Sequence, residues 1–182
     1  MTMINPQAPA VIVRSVEAET LGNPDQPPAV RLLADSSATG GALSAQRVFL
    51  GRGAEGAAPH RHTRSSELFY VLDGSVQILA GSEVVTVRQG DFAVVPPQLP
   101  HAFAATAGSG GDLLIVITPG VERFGYFRLL ARLLQGQATP DELLAAQERY
   151  DNYFLDSSEW RAARTRPLPS LWATVNPAER AE

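Results

Sequence analysis

Hydrophobic and polar residues alternate in short runs through the middle of the chain, and Gly or Pro interrupts these runs every few residues. Val, Ile, Phe and Tyr are frequent in the runs, which favours strands over helices. The predicted strands are Leu43–Leu50, Glu67–Leu72, Ser75–Ala80, Glu83–Arg88, Phe92–Val95, Ala102–Ala107 and Leu113–Thr118. Because strands at this spacing leave no room for helices between them, the pattern predicts an antiparallel sandwich or barrel.

Turn-forming residues separate the predicted strands. Asp73-Gly74 is a dipeptide typical of a two-residue type I′ hairpin turn, so we expect a chain reversal there. Gly81-Ser82 and Gln89-Gly90-Asp91 indicate two further turns.

The N-terminal part of the chain repeats the strand pattern on a smaller scale. Ala10–Arg14 and Ala29–Leu33 are predicted strands, and the Pro-rich segment 21–28 between them is a predicted loop. We assign residues 1–40 to an N-terminal segment that packs on a barrel formed by residues 41–119.

The pattern changes to a helical period after Pro119. A first helix is predicted over Val121–Leu134, where apolar residues lie three or four positions apart, and Gly136 should end it. A second helix should follow Thr139, because Thr139 is a good N-cap and Glu142 completes a capping box.

The remaining tail lacks a helical pattern. From Arg161 onward it contains Pro167, Pro169 and Pro177 and is predicted to be a loop. Residues 120–182 are therefore interpreted as a helical C-terminal extension of the barrel.

Composition narrows the possible partners. The 182 residues are 45% hydrophobic, which fits one globular domain. The net charge of −4 provides no basic surface, so neither nucleic acid nor an anionic membrane is an expected partner. No apolar run reaches the roughly 18–20 residues needed to cross a bilayer, and the first ten residues do not resemble a signal peptide. We expect a cytoplasmic protein.

Two residue types are absent from the chain. Without Cys there is no disulfide, thiolate nucleophile or Cys-ligated metal site. All 15 basic residues are Arg, and the lack of Lys excludes Schiff-base chemistry and a P-loop lysine.

The three histidines of the chain provide the strongest chemical signal. His60 and His62 lie two positions apart, so in a strand they point to the same face. Glu67 follows after four intervening residues, and His101 comes after a proline-bounded loop. Imidazoles and a carboxylate form the mixed donor set that suits a divalent transition metal.

The segment 60–101 resembles the two sequence motifs of the cupin superfamily. The matching residues of the first motif are His60, His62, Glu67 and Gly74, and those of the second are Gly90, Pro96 and His101. Ala54, Gln98 and Ala105 stand where the motifs have Gly, Gly and Asn.

This resemblance implies an all-β fold, an antiparallel jelly-roll (cupin) barrel with a C-terminal helical extension. It also implies that His60, His62, Glu67 and His101 bind one divalent ion, which Fe²⁺, Mn²⁺, Ni²⁺, Co²⁺, Cu²⁺ or Zn²⁺ would all suit. Glu67 is then the catalytic residue, a general base for a substrate hydroxyl. Pairing of barrels in related proteins implies a homodimer.

Four phenylalanines are candidates for the substrate pocket. Phe69 and Phe103 share the strand faces of Glu67 and His101, and they form either the barrel core or the pocket wall. Phe124 and Phe127 of the first predicted helix either pack against the barrel or cover its mouth.

A finer resemblance concerns the bacterial quercetin 2,3-dioxygenase-like cupins, through the segments 67–74 and 124–127. It implies a metal-dependent dioxygenase that cleaves a flavonol, or another phenolic or enolisable hydroxy-ketone, with O₂ as the second substrate. Two alternatives stay open, a metal-assisted Lewis-acid isomerase or polyketide cyclase and a non-catalytic cupin that binds a small molecule.

Overall fold

The computed structural model describes residues 10–164, so the predictions for the first residues and for the tail from Thr165 lie outside the described residues. The strands are β1 (Thr20–Asn23), β2 (Gln26–Ala34), β3 (Ser44–Leu50), β4 (Glu55–Arg61), β5 (Ser66–Ala80), β6 (Glu83–Arg88), β7 (Phe92–Val95), β8 (His101–Ala105), β9 (Gly111–Thr118) and β10 (Tyr153–Phe154). The helices are α1 (Phe124–Leu134), α2 (Pro140–Ala145), α3 (Gln147–Tyr150) and α4 (Ser158–Ala163).

All the strand pairs of the described chain are antiparallel, in the order β1-β2-β3-β9-β5-β8-β4-β10. The 15-residue strand β5 pairs with β7 and β9 along its first part and with β6 and β8 along its second part. Because β5 belongs to both halves, the sheet curls around a shared interior. The predicted fold class, an antiparallel barrel followed by helices, is confirmed.

Strand β5 also corrects a prediction. The hairpin expected at Asp73-Gly74 is wrong, because the chain continues through these residues as one strand with a register shift between Val71 and Asp73. Gly74 has φ +76°, and a Cβ atom there would lie 2.1 Å from the carbonyl oxygen of Gly110. The Asp-Gly pair therefore bends a single strand from one half of the barrel to the other.

The interior of the barrel is a continuous hydrophobic core. Alternate residues of β3 and β9 are buried, as the period-two pattern predicts. Phe69 is fully buried and packs edge-on against Phe103, with ring centroids 5.5 Å apart. Each large apolar side chain removed from water in this way stabilises the fold by about 1.5–3 kcal/mol.

The C-terminal helices bury apolar side chains against the outside of the barrel. Tyr126, Phe127 and Leu130 of α1 cluster with Leu32 of β2. Trp160 of α4 packs against Leu79 of β5 and against Ala102 and Ala104 of β8. Among residues 10–164, no helix has the length and hydropathy to span a membrane.

Capping chemistry explains where the helices begin. Helix α2 starts with the predicted capping box of Thr139 and Glu142, which is confirmed, although α3 is separated from α2 at Ala146. The loop predicted from Arg161 onward is wrong as far as Ala163. There Ser157 accepts a hydrogen bond from the Trp160 amide and begins α4.

Two N-terminal predictions are also wrong. Ala10–Arg14 forms no strand, since its valines and isoleucine are exposed and pair with no neighbouring strand within the described residues. The segment 21–28 contains most of β1 and the start of β2, and only its tip forms a turn. The turns predicted at 81–82 and 89–91 are confirmed, and the division at residues 40 and 119 stays a prediction.

Replacing the glycine at the bend of β5 should be much more damaging than replacing a turn glycine. We expect Gly74→Ala to lower the free energy of unfolding by about 2–5 kcal/mol, because strain at positive φ adds to a clash with backbone. Gly90→Ala is the matched control, since Gly90 has φ +88° but no atom within 4 Å of the added Cβ, and should lose only about 1–2 kcal/mol. Urea unfolding measures both, and equal losses would contradict this account of the bend.

Candidate metal centre

Four polar side chains converge inside the barrel. His60 lies near the end of β4, His62 directly follows that strand, Glu67 is the second residue of β5, and His101 begins β8. His60 and His101 lie opposite each other in the register of β4 and β8. Pairing of these strands therefore brings together residues that are far apart along the chain.

The distances define one cluster. The Nε2 atoms of His60, His62 and His101 lie 3.8, 3.1 and 2.7 Å from one oxygen of Glu67, Oε2. The four side chains are at most 3% exposed, and their donor atoms all lie within 4.8 Å of one another. The structure thus brings together all four residues predicted as ligands.

Each imidazole is oriented by its other ring nitrogen. Nδ1 of each histidine lies within hydrogen-bond distance of a backbone carbonyl oxygen, which can only accept. The oxygens, in the order His60, His62 and His101, belong to Ala58, Asp151 and Leu99, at 2.8, 2.5 and 2.9 Å. Nδ1 must therefore donate, which leaves the Nε2 lone pair of a neutral imidazole free to bind a metal.

The donor set fits a bound cation. In the neutral tautomers the three Nε2 atoms and the Glu67 carboxylate are all hydrogen-bond acceptors, and acceptors do not attract one another. Contacts of 2.7 and 3.1 Å between them need a positive species in the middle, either protons or a metal ion. Ligand atoms about 2.1 Å from an ion lie about 3–4 Å apart, close to these spacings.

Burial and neighbouring groups shift the pKa values of His60 and Glu67. Burial lowers the pKa of His60 well below its usual value, and charge contacts with His101 and His62 act in the same direction. Burial acts to raise the pKa of Glu67, but the adjacent imidazoles of His101 and His62, when they carry a proton on Nε2, outweigh it and hold that pKa well below its usual range. A neutral His60 beside an ionised Glu67 is the form that binds a divalent ion.

The loop before His101 is fastened to the His62 segment. Gln98 adopts φ +71°, a conformation that favours glycine, at the position where the second motif has Gly. Its backbone N–H donates to the carbonyl oxygen of His62 at 2.7 Å. This contact links the two motifs across the cluster.

Asp151, from the C-terminal extension, supports the His62 segment. Its carboxylate is buried and accepts hydrogen bonds from the Thr63 amide, the Thr63 hydroxyl and the Arg64 amide. Its carbonyl oxygen accepts from Nδ1 of His62. The residue has φ 47°, so its backbone turns back toward the barrel. Nothing in the sequence motifs indicated this role, because the partner lies 89 positions away.

A largely apolar pocket opens beside the cluster. Its empty volume is about 500 Å³, including solvent at the mouth, and its wall includes His60, Glu67, Phe103 and Phe127. Phe69 is not part of the wall, because its ring is fully buried in the core beneath His101.

The remaining candidate, Phe124, packs in the cluster of α1 and also lies outside the wall. The pocket wall also contains three polar residues that the sequence analysis did not predict, namely Gln46, Arg123 and Asn152. No motif marks them, since their importance comes only from burial in this wall.

The comparison with known families agrees with the geometry. Residues 46–117 match the Cupin domain family, and this range contains all four residues of the cluster. The matched residues are fewer than half of the chain, and the barrel has the cupin fold.

Several solved structures are similar to this chain. An RmlC-like cupin from Shewanella frigidimarina is 22% identical with a TM-score of 0.51, covering 65% of this chain and 98% of that one. KdgF from Halomonas sp. is 24% identical with a TM-score of 0.44, over 50% and 77% of the two chains. The Streptomyces nucleoside dehydratase Pac13 is 17% identical with a TM-score of 0.47, over 61% and 83%. These likenesses concern the fold alone.

One curated relative matches over a shorter stretch. An uncharacterized protein of Methanocaldococcus jannaschii is 36% identical over 42 residues, which is 23% of this chain. The chain spans about a third of the length of that relative, 34%.

Removal of any one imidazole should weaken metal binding. We expect His60→Ala, His62→Ala and His101→Ala each to bind Zn²⁺ or Ni²⁺ at least about tenfold more weakly, because a donor atom is lost. Arg61→Ala is the control, since Arg61 is exposed between the two histidines. Calorimetric titration and elemental analysis measure the effect, and unchanged affinity in all three variants would refute the site.

The carboxylate of Asp151 should make stability depend on pH. Burial acts to raise its pKa, but hydrogen bonds from Thr63 and Arg64 outweigh it, so the pKa lies below the usual 3.8. A carboxyl with a lowered folded-state pKa stabilises the protein above pH 4, and this contribution is lost as the pH falls through the folded pKa. At pH 7 we expect Asp151→Asn to reduce the free energy of unfolding by about 1–3 kcal/mol.

Asparagine tolerates the left-handed backbone, so this variant changes the carboxylate and not the turn. The difference between variant and wild type should shrink below pH 4 in urea unfolding. A difference that stays constant between pH 7 and pH 3 would contradict this role of the carboxylate.

Proposed function

We propose that this protein is a metal-dependent dioxygenase that cleaves a flavonol, or another phenolic or enolisable hydroxy-ketone, with O₂. The observation that carries the proposal is the position of the four-residue cluster in the wall of an apolar pocket, with His60 and Glu67 lining the space that a small molecule would occupy. A structural metal site would be closed off by its ligands, whereas a catalytic one faces substrate.

The donor set suits one divalent transition metal held by the three histidines and Glu67. When bound, the ion supplies Lewis-acid or one-electron chemistry at its open positions. Its identity is not specified by these ligands.

Glu67 is the residue proposed to move a proton. Only its Oε2 contacts the imidazoles, while Oε1 has no hydrogen-bond partner among residues 10–164 and Glu67 borders the pocket. The lowered pKa of Glu67 keeps the carboxylate ionised at neutral pH. It is therefore positioned to accept the proton of an acidic phenol or enol hydroxyl.

The pocket wall presents apolar surface beside the reacting groups. Phe103 and Phe127 contribute apolar surface beside the cluster, and α1 covers this part of the barrel. Exclusion of water strengthens the electrostatic interactions of the buried charges. The homodimer remains a prediction from resemblance.

A second candidate is a metal-assisted isomerase or cyclase, and Tyr126 is the observation that favours it. The Tyr126 side chain lines the pocket, and burial raises its pKa to about 12. Its hydroxyl therefore stays protonated, and no hydrogen bond engages it within residues 10–164. A proton donor in the same pocket wall as Glu67 would serve acid–base chemistry that consumes no O₂.

Oxygen dependence separates the two candidates. Protein loaded in turn with Fe²⁺, Mn²⁺, Co²⁺, Ni²⁺ and Cu²⁺ is assayed against quercetin and a panel of phenolic hydroxy-ketones, in air and under strict anaerobiosis. We expect O₂ uptake matched by product, and loss of at least about 100-fold in kcat for Glu67→Gln, the lower range for loss of a general base.

Arg61→Ala is again the control and should keep full activity. Product formed without O₂, and reduced by Tyr126→Phe, would refute the dioxygenase and support the isomerase. Absence of turnover in every metal form would refute both and favour a binding protein.

A further inference from the structure

Arg123 is a buried cation without a counter-ion. The residue is 3% exposed and lines the same pocket as His60 and Glu67. Within residues 10–164 its guanidinium forms no salt bridge, although six other arginines pair with carboxylates there. Burying a charge without a partner costs free energy, so we expect the Arg123 guanidinium to bind an anionic group of a ligand.

The contacts that Arg123 does make are weak. One terminal nitrogen, Nη1, lies 3.5 Å from the Tyr150 carbonyl oxygen and 3.4 Å from Asn152 Oδ1. Nε is buried with no hydrogen-bond partner. The guanidinium lies 4.3 Å from the ring centroid of Tyr126 and 5.3 Å from that of Phe127, and such faces compensate a cation only in part.

The nearby acid is already engaged. Asp35 accepts hydrogen bonds from the backbone amides of Arg123 and Phe124, at 2.6 and 3.1 Å, and so caps the start of α1. Its carboxylate therefore satisfies the helix amides, while the Arg123 side chain extends into the pocket wall.

Two other unpaired polar atoms belong to residues of the same pocket. Asn152 Nδ2 and Gln46 Oε1 are buried without a partner, and both residues are only 1% exposed. Together with Arg123 Nε they are three of the four side-chain atoms of this kind in residues 10–164, the fourth being Ser44 Oγ. Because buried polar groups are nearly always satisfied, their concentration in one pocket indicates a polar ligand group.

We propose that the substrate of this pocket carries a carboxylate that binds Arg123 and the Asn152 amide, while Gln46 accepts a hydrogen bond from a substrate hydroxyl. The proposal rests on the proposed function in taking this pocket as the substrate site, and it narrows the substrate to an organic acid. The apolar lining, including Val48 and Ile115, requires the rest of the molecule to be aromatic or aliphatic.

Benzoate and its neutral isostere benzamide test the proposal by calorimetric titration of the full chain, both metal-free and loaded with Zn²⁺. Inorganic phosphate is the third probe and represents a bare anion. We expect benzoate to bind about tenfold or more tightly than benzamide in both forms, because charge-assisted hydrogen bonds exceed neutral ones. Phosphate should bind more weakly than benzoate, since it gains nothing from the apolar wall.

Arg123→Gln should remove the preference for benzoate. Arg128→Gln is the matched control, since Arg128 lies in α1, the helix that Arg123 precedes, but is 53% exposed and pairs with Glu19 outside the pocket, and it should keep the preference. Equal binding of benzoate and benzamide in the wild type, or no binding of either, would overturn the proposal. So would a preference that persists in Arg123→Gln.

Asn152→Asp covers the case in which Arg123→Gln does not fold. The new carboxylate would lie about where Oδ1 now lies, 3.4 Å from Nη1, and should neutralise the guanidinium. We expect an unchanged or higher unfolding temperature together with loss of the benzoate preference. Retained preference in this folded variant would count against Arg123 as the binding group.

The binding experiment also separates this inference from the proposed function. Binding of benzoate through Arg123 without turnover in any metal form would leave the inference standing and remove the enzyme. Turnover of neutral hydroxy-ketones that is unchanged in Arg123→Gln would support the enzyme and overturn the inference about Arg123.

Discussion

The structure depends on a single constraint, which is that three imidazoles must present unprotonated Nε2 atoms to one carboxylate. Backbone carbonyl oxygens impose this by accepting from all three Nδ1 atoms. Four acceptors in a dry interior repel one another unless a cation lies among them, so this cluster suits a bound cation. Pairing of β4 with β8 and the crossing of β5 between the two halves then place the four side chains within reach of it.

The C-terminal extension contributes residues to the candidate metal centre and to the pocket beside it. Asp151 holds the His62 segment by its carboxylate and the His62 ring by its carbonyl oxygen. Arg123, just before helix α1, and Tyr126 and Phe127 within it contribute to the pocket. The extension is therefore part of the site, because it orients a candidate ligand and supplies the wall that faces the cluster.

Much of the fold and the four candidate metal ligands could be predicted from sequence, because both follow from the spacing of residues close together along the chain. Alternation marks the strands, and the His60-x-His62 pair with Glu67 and His101 matches a motif of fixed intervals. The bend at Gly74 could not be predicted, since an Asp-Gly pair suits a hairpin as well as a strand that changes sheets. Residues 10–14 have strand composition, yet pairing needs a neighbour that composition does not reveal. Gln46, Arg123 and Asn152 escaped prediction because polar side chains are ordinarily exposed, and only the folded chain buries them together.

The charge of the candidate metal centre and the charge of Arg123 act on the same pocket. A divalent ion carries two positive charges and Glu67 supplies one negative charge, so the cluster would keep an excess positive charge. Arg123 adds a second one in the wall of the same pocket. In a low-dielectric interior such an excess is tolerated only if a ligand neutralises it. A flavonol that ionises at one hydroxyl would offset one of these charges, whereas an acid with an ionised enol or phenol would offset both. For the proposed carboxylate substrate with an ionised hydroxyl, the charges would balance with one negative charge near the imidazoles and the other on Arg123.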